Sequence, residues 1–473
     1  MSTEQHDKDV QAYISENFTK RVIDPLTEFV IIPNVSRVFD TEWETNGLMD
    51  RACNFVIEHA KAQELENFSI ELLKEQGKPN IVLAIADMKD APTILLYGHI
   101  DKQPPLTHLW NEGLHPYEPV IRDGKLYGRG TADDGYAFFT SLFIVKALQA
   151  CGLQKHRFVL FFECDEESGS RDMVYYLNKH SEKIGEPSVM LCLDSGTIDY
   201  DHLTLTTSLR GSLKFKFKVE ISKEGIHSGT AGGIVPDTYR IARHILNQFE
   251  DSRTGHLIPE LYVNVPKDKY EQACSLIDEL GNIDFMIPFL EGVQPVVEDP
   301  LQQVLAKTWF PNCTVIGFDG LPGTKSCGNV LNPSTTYVLS CRLPPSLQFN
   351  DAKAIVAKFF ADLKVPYGAK ITLDFIQGGT GINIKAYPAQ LSQLINEAGH
   401  NFYGKKPLYN GEGGSIPFIG SLQSRFPKTD IIVSGVLGPE SNAHGPNEFL
   451  HIKFCENLIR SFVHIFANYE CSH

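Results

Sequence analysis

Three short apolar runs each stop at an acidic or imidazole residue, and that pairing constrains the fold more than any other feature of the chain. Ile94-Leu95-Leu96-Tyr97 leads into Gly98-His99, Phe158-Val159-Leu160-Phe161-Phe162 into Glu166-Glu167, and Val189-Met190-Leu191-Cys192-Leu193 into Asp194. Runs that are apolar on both faces belong in the centre of a sheet covered on both sides by helices. In an open α/β sheet, functional residues gather just beyond the carboxyl ends of the strands. The fold class expected is α/β, with a mixed, largely parallel sheet flanked by helices.

Helices are predicted over Ala137 to Ala150, stopped by Gly152, and over Ser170 to Lys183, stopped by Gly185. From Leu213 the pattern changes. Leu213, Phe215, Phe217, Val219 and Ile221 alternate with Lys214, Lys216, Lys218 and Glu220, which is the period of a half-buried antiparallel strand. A helix after Pro236-Asp237, strands at Cys313–Phe318 and Thr336–Arg342, a helix from Asp351 to Leu363 and a strand at Lys370–Phe375 complete a split βαβ, ferredoxin-like order. Residues 251–312 receive no assignment. After Gly378-Gly379 the chain returns to apolar strand and helix, with Asp430-Ile431-Ile432-Val433 leading towards His444 and a last helix from Leu450 to Ala467. The expected division is a catalytic domain from 1–208 and 379–473, with an inserted α+β domain at 209–378.

At 473 residues the chain exceeds the size at which a single core keeps growing, so two domains are expected. A hydrophobic content of 42% describes an ordinary globular enzyme. The net charge of −15 argues against nucleic acid and anionic lipid as partners. No apolar run is long enough to span a bilayer, and the polar Met1–Asp9 segment lacks a signal-peptide core, so a cytoplasmic protein is expected. Ten cysteines without any Cys-x-x-Cys spacing read as buried thiols.

The stations His99-Ile100-Asp101, Asp133-Asp134, Glu166-Glu167, Asp194 and His444 hold the donors that a two-metal hydrolase needs: a carboxylate to share, an imidazole and a further carboxylate for each ion, and an unbound acid for protons. Two cations about 3.5–4 Å apart polarise a carbonyl and acidify water. Zinc suits imidazole and carboxylate donors, and manganese or cobalt suits the same set. Taken singly, each station is weak, since most of the 16 histidines must be bystanders. Asp101, two positions after His99, can hold the second imidazole nitrogen. One of the adjacent glutamates can bind metal while the other serves as general base, then as acid to a leaving amine.

The segments Tyr97–Pro104, Leu126–Asp134, Glu166–Ser170, His227-Ser228-Gly229, Glu412–Pro417 and Ala443-His444 fall in an order and at intervals that resemble the co-catalytic zinc peptidases of the aminoacylase and carboxypeptidase clan, particularly the carnosinase and cytosolic nonspecific dipeptidase branch. The resemblance runs from about residue 12 to residue 468. It implies one metal held by His99, Asp133 and Asp194 and a second by Asp133, Glu167 and His444, with Asp133 bridging, Glu166 as general base, Asp101 supporting His99 and a cis Asp133–Asp134 bond. It also implies a homodimer in which His227 and Asn329 reach from a lid into the partner's site. Arg342 offers a fork for the substrate carboxylate, and Gly413-Gly414-Ser415 offers further donors. Two departures stand out: Gly135-Tyr136 replaces the usual Lys-Gly after the paired aspartates, and Lys102 replaces a usually apolar residue, with an expected effect on side-chain preference.

Other classes fit poorly. Gly320-Leu321-Pro322-Gly323-Thr324-Lys325-Ser326 lacks the glycine before lysine that a phosphate-binding loop needs. A serine hydrolase wants Gly-x-Ser-x-Gly, which is absent. The expected activity is hydrolysis of dipeptides or very short peptides with a free C-terminal carboxylate. An N-acyl amino-acid deacylase or a carboxypeptidase would use the same groups, and a non-enzymatic scaffold would have shed some of them.

Overall fold

The computed structural model describes residues 3–281, 283, 287–414 and 417–471. The chain divides into two compact units, one formed by 1–206, 385–409 and 421–473, the other by 207–384 and 410–420. Residues 410–414 and 417–420 thus lie with the second unit, whereas the division expected from sequence assigns them to the first.

The first unit is built on a six-stranded sheet in the order Phe68–Leu73, Ile81–Ala86, Arg157–Glu163, Thr93–His99, Pro187–Cys192, Asp430–Val433. Ile81–Ala86 runs antiparallel to both of its neighbours, and the other adjacent strands, from Arg157–Glu163 to Asp430–Val433, are parallel. The three apolar runs that ended at stations occupy its centre, as their two-sided apolar character requires. On one face Leu96, Leu160 and Leu191 join a core with the helices Tyr136–Ala150, Ala389–Tyr403 and Ile452–Asn468. The alternate residues Leu95, Val159 and Met190 are buried on the other. Helix Tyr136–Ala150 is apolar nearly all round and buries most of its residues, as a helix inside a core must. The helix expected over Ser170 to Lys183 is instead two short helices, Met173–Lys179 and Ser181–Ile184, because His180 leaves helical geometry at φ −106° and ψ 18°.

The second unit carries a four-stranded antiparallel sheet in the order Asn312–Asp319, Ser334–Leu343, Gly211–Glu220, Lys370–Gly379. Numbered along the chain this is 2-3-1-4, the split βαβ arrangement. Leu213, Phe215, Phe217 and Val219 face the helices Thr238–Phe249 and Phe349–Asp362, and the intervening lysines face outward. Asp237 caps the first of these helices by accepting the Arg240 N–H at 2.8 Å. The segment left unassigned contains the helices Lys267–Leu280 and Pro300–Thr308. Among the described residues no helix is long and apolar enough to cross a membrane.

Candidate metal centre

All five stations lie in the first unit, three of them at or just past the carboxyl ends of strands of its six-stranded sheet. His99 ends the strand Thr93–His99, Glu166 and Glu167 form a turn after Arg157–Glu163, and Asp194 follows Pro187–Cys192. Asp133 and Asp134 sit in the turn Thr131–Gly135 ahead of the buried helix, joined by a cis peptide bond as the resemblance implies. His444 belongs to a loop in which Glu440, Asn442, His444 and Asn447 all adopt left-handed backbone, with φ between 55° and 64°. Several non-glycine residues in that region mark a backbone held against its preference, a feature that clusters at functional sites.

Two imidazoles converge on one carboxylate. His99 Nε2 lies 3.2 Å from Asp133 Oδ1, and His444 Nε2 lies 3.1 Å from Asp133 Oδ2. His99 Nε2 is also 4.0 Å from Asp194 Oδ1, and His444 Nε2 is 3.4 Å from Glu167 Oε2. Candidate donor atoms of His99, Asp133 and Glu167 all lie within 4.8 Å of one another, as do those of His99, Asp134 and Asp194.

Asp101 supports the site differently from expectation. The His99 Nδ1–H is taken chiefly by the Asp101 backbone carbonyl at 2.9 Å, with the carboxylate farther away at 3.4 Å. This orients the ring and leaves Nε2 facing Asp133. The Asp101 carboxylate instead accepts the backbone N–H groups of Glu166 at 3.2 Å and Glu167 at 3.1 Å, and so aims both glutamates. Asp134 turns away from the shared position, since its Oδ2 accepts the His99 backbone N–H at 3.1 Å. Gly98 makes that approach possible, because a Cβ there would stand 2.4 Å from Asp134 Oδ2.

Sequence reasoning missed the residue that shapes the bridging turn. Glu448, fully buried, accepts the backbone N–H of Gly130 (3.0 Å), Ala132 (3.0 Å) and Asp133 (3.1 Å), and pairs with the buried Arg129 guanidinium at 2.8 Å. Gln103 donates to Glu167 Oε2. The two departures also find their reasons here. A side chain at Gly135 would place Cβ 2.4 Å from the Gly130 carbonyl oxygen, so this packing admits no lysine, and Tyr136 instead ties the turn to the Leu193 carbonyl beside Asp194. Lys102 does not face a substrate position. It is fully buried, donates to the carbonyls of Phe29, Val30 and Ile32 at 3.1, 3.3 and 2.8 Å, and lies 4.3 Å from the Phe29 ring centroid.

The electrostatics suit cations. Burial, then the charge of Asp133, pushes the Glu167 carboxyl up to about 11; burial lifts Asp194 to about 6, opposed by His99. Burial and the charge of Asp194 hold Glu166 well above the usual carboxylate range. Asp133 is the exception: despite burial, its bonds to His444 and His99 hold it below that range. Among the described residues Glu167 Oε1 has no hydrogen-bond donor. Crowded buried carboxylates with an orphaned oxygen and two imidazoles fit divalent cations in number and chemistry.

The remaining candidates lie in the second unit. His227 forms a two-residue ladder with Val330, next to Asn329, whose carbonyl accepts the Ser228 N–H at 2.8 Å. This long-range strand pairing brings His227 and Asn329 together. The exposed His227 ring accepts the Gly229 N–H at 3.2 Å. Arg342 stands on the strand Ser334–Leu343 opposite Ser212 and Asn312. Its charge contributes, after burial, to lowering the neighbouring Arg210 to about 10. Gly414 is exposed next to Gly413, whose carbonyl accepts from Arg210 Nε at 3.3 Å, and Ser415 lies outside the described residues.

The chain is 28% identical over 460 residues to the cysteinylglycine-S-conjugate dipeptidase of Corynebacterium striatum, covering 91% of this chain and 96% of that one. It is 26% identical over 374 residues to the Cys-Gly metallodipeptidase DUG1 of Saccharomyces cerevisiae, covering 76% of each. The fold matches the crystal structure of human carnosine dipeptidase 1 with a TM-score of 0.73 at 18% identity, over 98% of this chain and 99% of that one. The model of peptidase family M20/M25/M40 matches residues 95–468, and the chain belongs to that family.

Proposed function

We propose that the protein is a metal-dependent dipeptidase that hydrolyses dipeptides or very short peptides with a free C-terminal carboxylate. One observation carries this reading: the convergence of His99 and His444 on the two oxygens of Asp133, at 3.2 and 3.1 Å. A carboxylate with an imidazole at each oxygen would suit a site for two cations. The names of two relatives, both dipeptidases, support the substrate class.

In this reading His99, Asp133 and Asp194 would hold one ion and Asp133, Glu167 and His444 the other, with zinc the best match to the donors and manganese or cobalt alternatives. Such ions supply Lewis acidity and make water nucleophilic near neutral pH. Glu166, aimed by Asp101, takes the proton from the attacking water and returns it to the leaving amine. His227, from the lid of a second copy, donates to the developing oxyanion. Arg342 pairs with the substrate carboxylate, and Asn329, Gly414 and Ser415 contribute further polar contacts. The segment 209–378 serves as lid and dimerisation domain. A cytoplasmic setting fits ten cysteines that are all free.

The test is hydrolysis of a dipeptide panel beside N-acetyl amino acids, after chelation and again after metal add-back. Dipeptides should be cleaved faster, and only with metal. Faster turnover of acetylated substrates would assign a deacylase, and activity surviving full chelation would overturn the metal site.

A further inference from the structure

The strands Asn312–Asp319 and Ser334–Leu343 are antiparallel neighbours whose register sets Cys313 directly opposite Cys341. The sulfurs are 3.0 Å apart, with the Cys341 thiol donating to Cys313 Sγ. Residues opposed across an antiparallel ladder have Cα atoms about 4.5–5.5 Å apart, inside the span of about 4.4–6.8 Å that a disulfide requires. The ladder register therefore suits a cross-strand disulfide, and the sulfurs need approach by only about 1 Å to reach the S–S bond length. The next pair along it is Asn312 with Arg342.

Access to the two thiols is unequal. Cys341 is buried, while Cys313 is half-buried on an edge strand of the sheet. Other cysteines give the contrast. Cys53 and Cys164 also lie close, with sulfurs 3.5 Å apart, but they are 0% and 2% exposed and offer no approach to a reagent. Cys327 is exposed, and its thiol donates to the Thr324 carbonyl at 3.3 Å. Among the described residues, only the cross-strand pair combines a thiol that a reagent can reach with a second thiol within 3.5 Å to resolve the product.

We propose that Cys313 and Cys341 are a reversible modification site that closes to a disulfide by exchange with small disulfides of the glutathione type. The Cys313 thiolate attacks one sulfur of oxidised glutathione; its S–S bond breaks, a Cys313–glutathione bond forms and one glutathione thiolate leaves. Cys341 Sγ then attacks Cys313 Sγ, the mixed disulfide breaks and the second glutathione thiolate leaves. The two protein thiol protons end on two glutathione molecules, so two protein thiols are oxidised and one glutathione disulfide is reduced. Excess thiol drives the exchange backwards.

The experiment incubates the full reduced chain with oxidised glutathione, blocks the remaining thiols under denaturing conditions and maps the peptides. Two of the ten thiols should disappear, the peptides carrying Cys313 and Cys341 should be joined, and dithiothreitol should restore both. Cys341→Ala should trap glutathione on Cys313, and Cys313→Ser should form no intramolecular link. Separate Cys313 and Cys341 peptides would overturn the proposal, whether or not Cys327 carries glutathione, as would a Cys53–Cys164 link in their place. An unmodified Cys313 in Cys341→Ala would overturn its role as the entering sulfur. Failure of the reduced protein to hydrolyse dipeptides would count against the function proposed above and leave this result untouched.

Discussion

The carboxylate of Glu448 accepts the backbone N–H of Asp133 at 3.1 Å, although the two residues are 315 positions apart. Through this bond and those to Gly130 and Ala132, one buried side chain sets the path of the turn that carries the shared carboxylate. The turn is also pinned by Arg129, which would be left as a buried unpaired charge if Glu448 were neutralised.

Glu448→Gln should therefore lose stability and metal together. Breaking a buried ion pair costs about 3–5 kcal/mol, and disturbing the support of a ligand lowers metal affinity about 10–100-fold. Denaturant melts and competitive chelator titration measure the two effects. Unchanged metal affinity would show that Glu448 only supports the fold.

Lys102→Met should destabilise the protein by roughly 1–3 kcal/mol, since the carbonyls of Phe29, Val30 and Ile32 lose their donor. The ratio of turnover between dipeptides of different side chain should not change, because Lys102 is fully buried among these carbonyls. A panel run on the variant checks both halves of this expectation, and a shifted preference would restore Lys102 to a substrate role.

Glu163 gives a pH dependence to the chelated protein. Burial, opposed by a bond from Tyr97 and reinforced by the charge of Asp101, pushes its carboxyl from 4.5 up to about 8. The raised value means the folded state favours the protonated form, so the stabilisation is complete below about pH 4.5 and is lost as pH rises through about 8. Unfolding midpoints of the chelated protein should fall across that window. Glu163→Gln, which imitates the neutral acid and keeps an acceptor for Tyr97 and Ser170, should flatten the fall; an identical slope in the variant would remove Glu163 as its cause.

The central sheet was legible because its strands are apolar on both faces and end at polar stations, and the alternation from Leu213 to Ile221 announced the second sheet equally well. Residues 251–312 were not, since the helix Lys267–Leu280 opens on a run of charged residues and Pro300–Thr308 spans only 9 residues. The convergence of His99, Asp133 and His444 has no local signature, and only the ordered motifs suggested it. Glu448 stayed hidden because its partners are mostly backbone N–H groups, which every residue but proline carries. Lys102 misled for the opposite reason: a charged residue beside the site reads as substrate-facing, whereas three carbonyls at a helix end gave it a buried place.

The most direct test of the account is Glu166→Ala, assayed for bound metal and for dipeptide hydrolysis on the same preparation. The ligands named here do not include Glu166, so the variant should bind two divalent ions per chain as the parent does, while hydrolysis falls by about 10²–10⁴-fold with the loss of a general base. Undiminished turnover with metal in place would contradict the account.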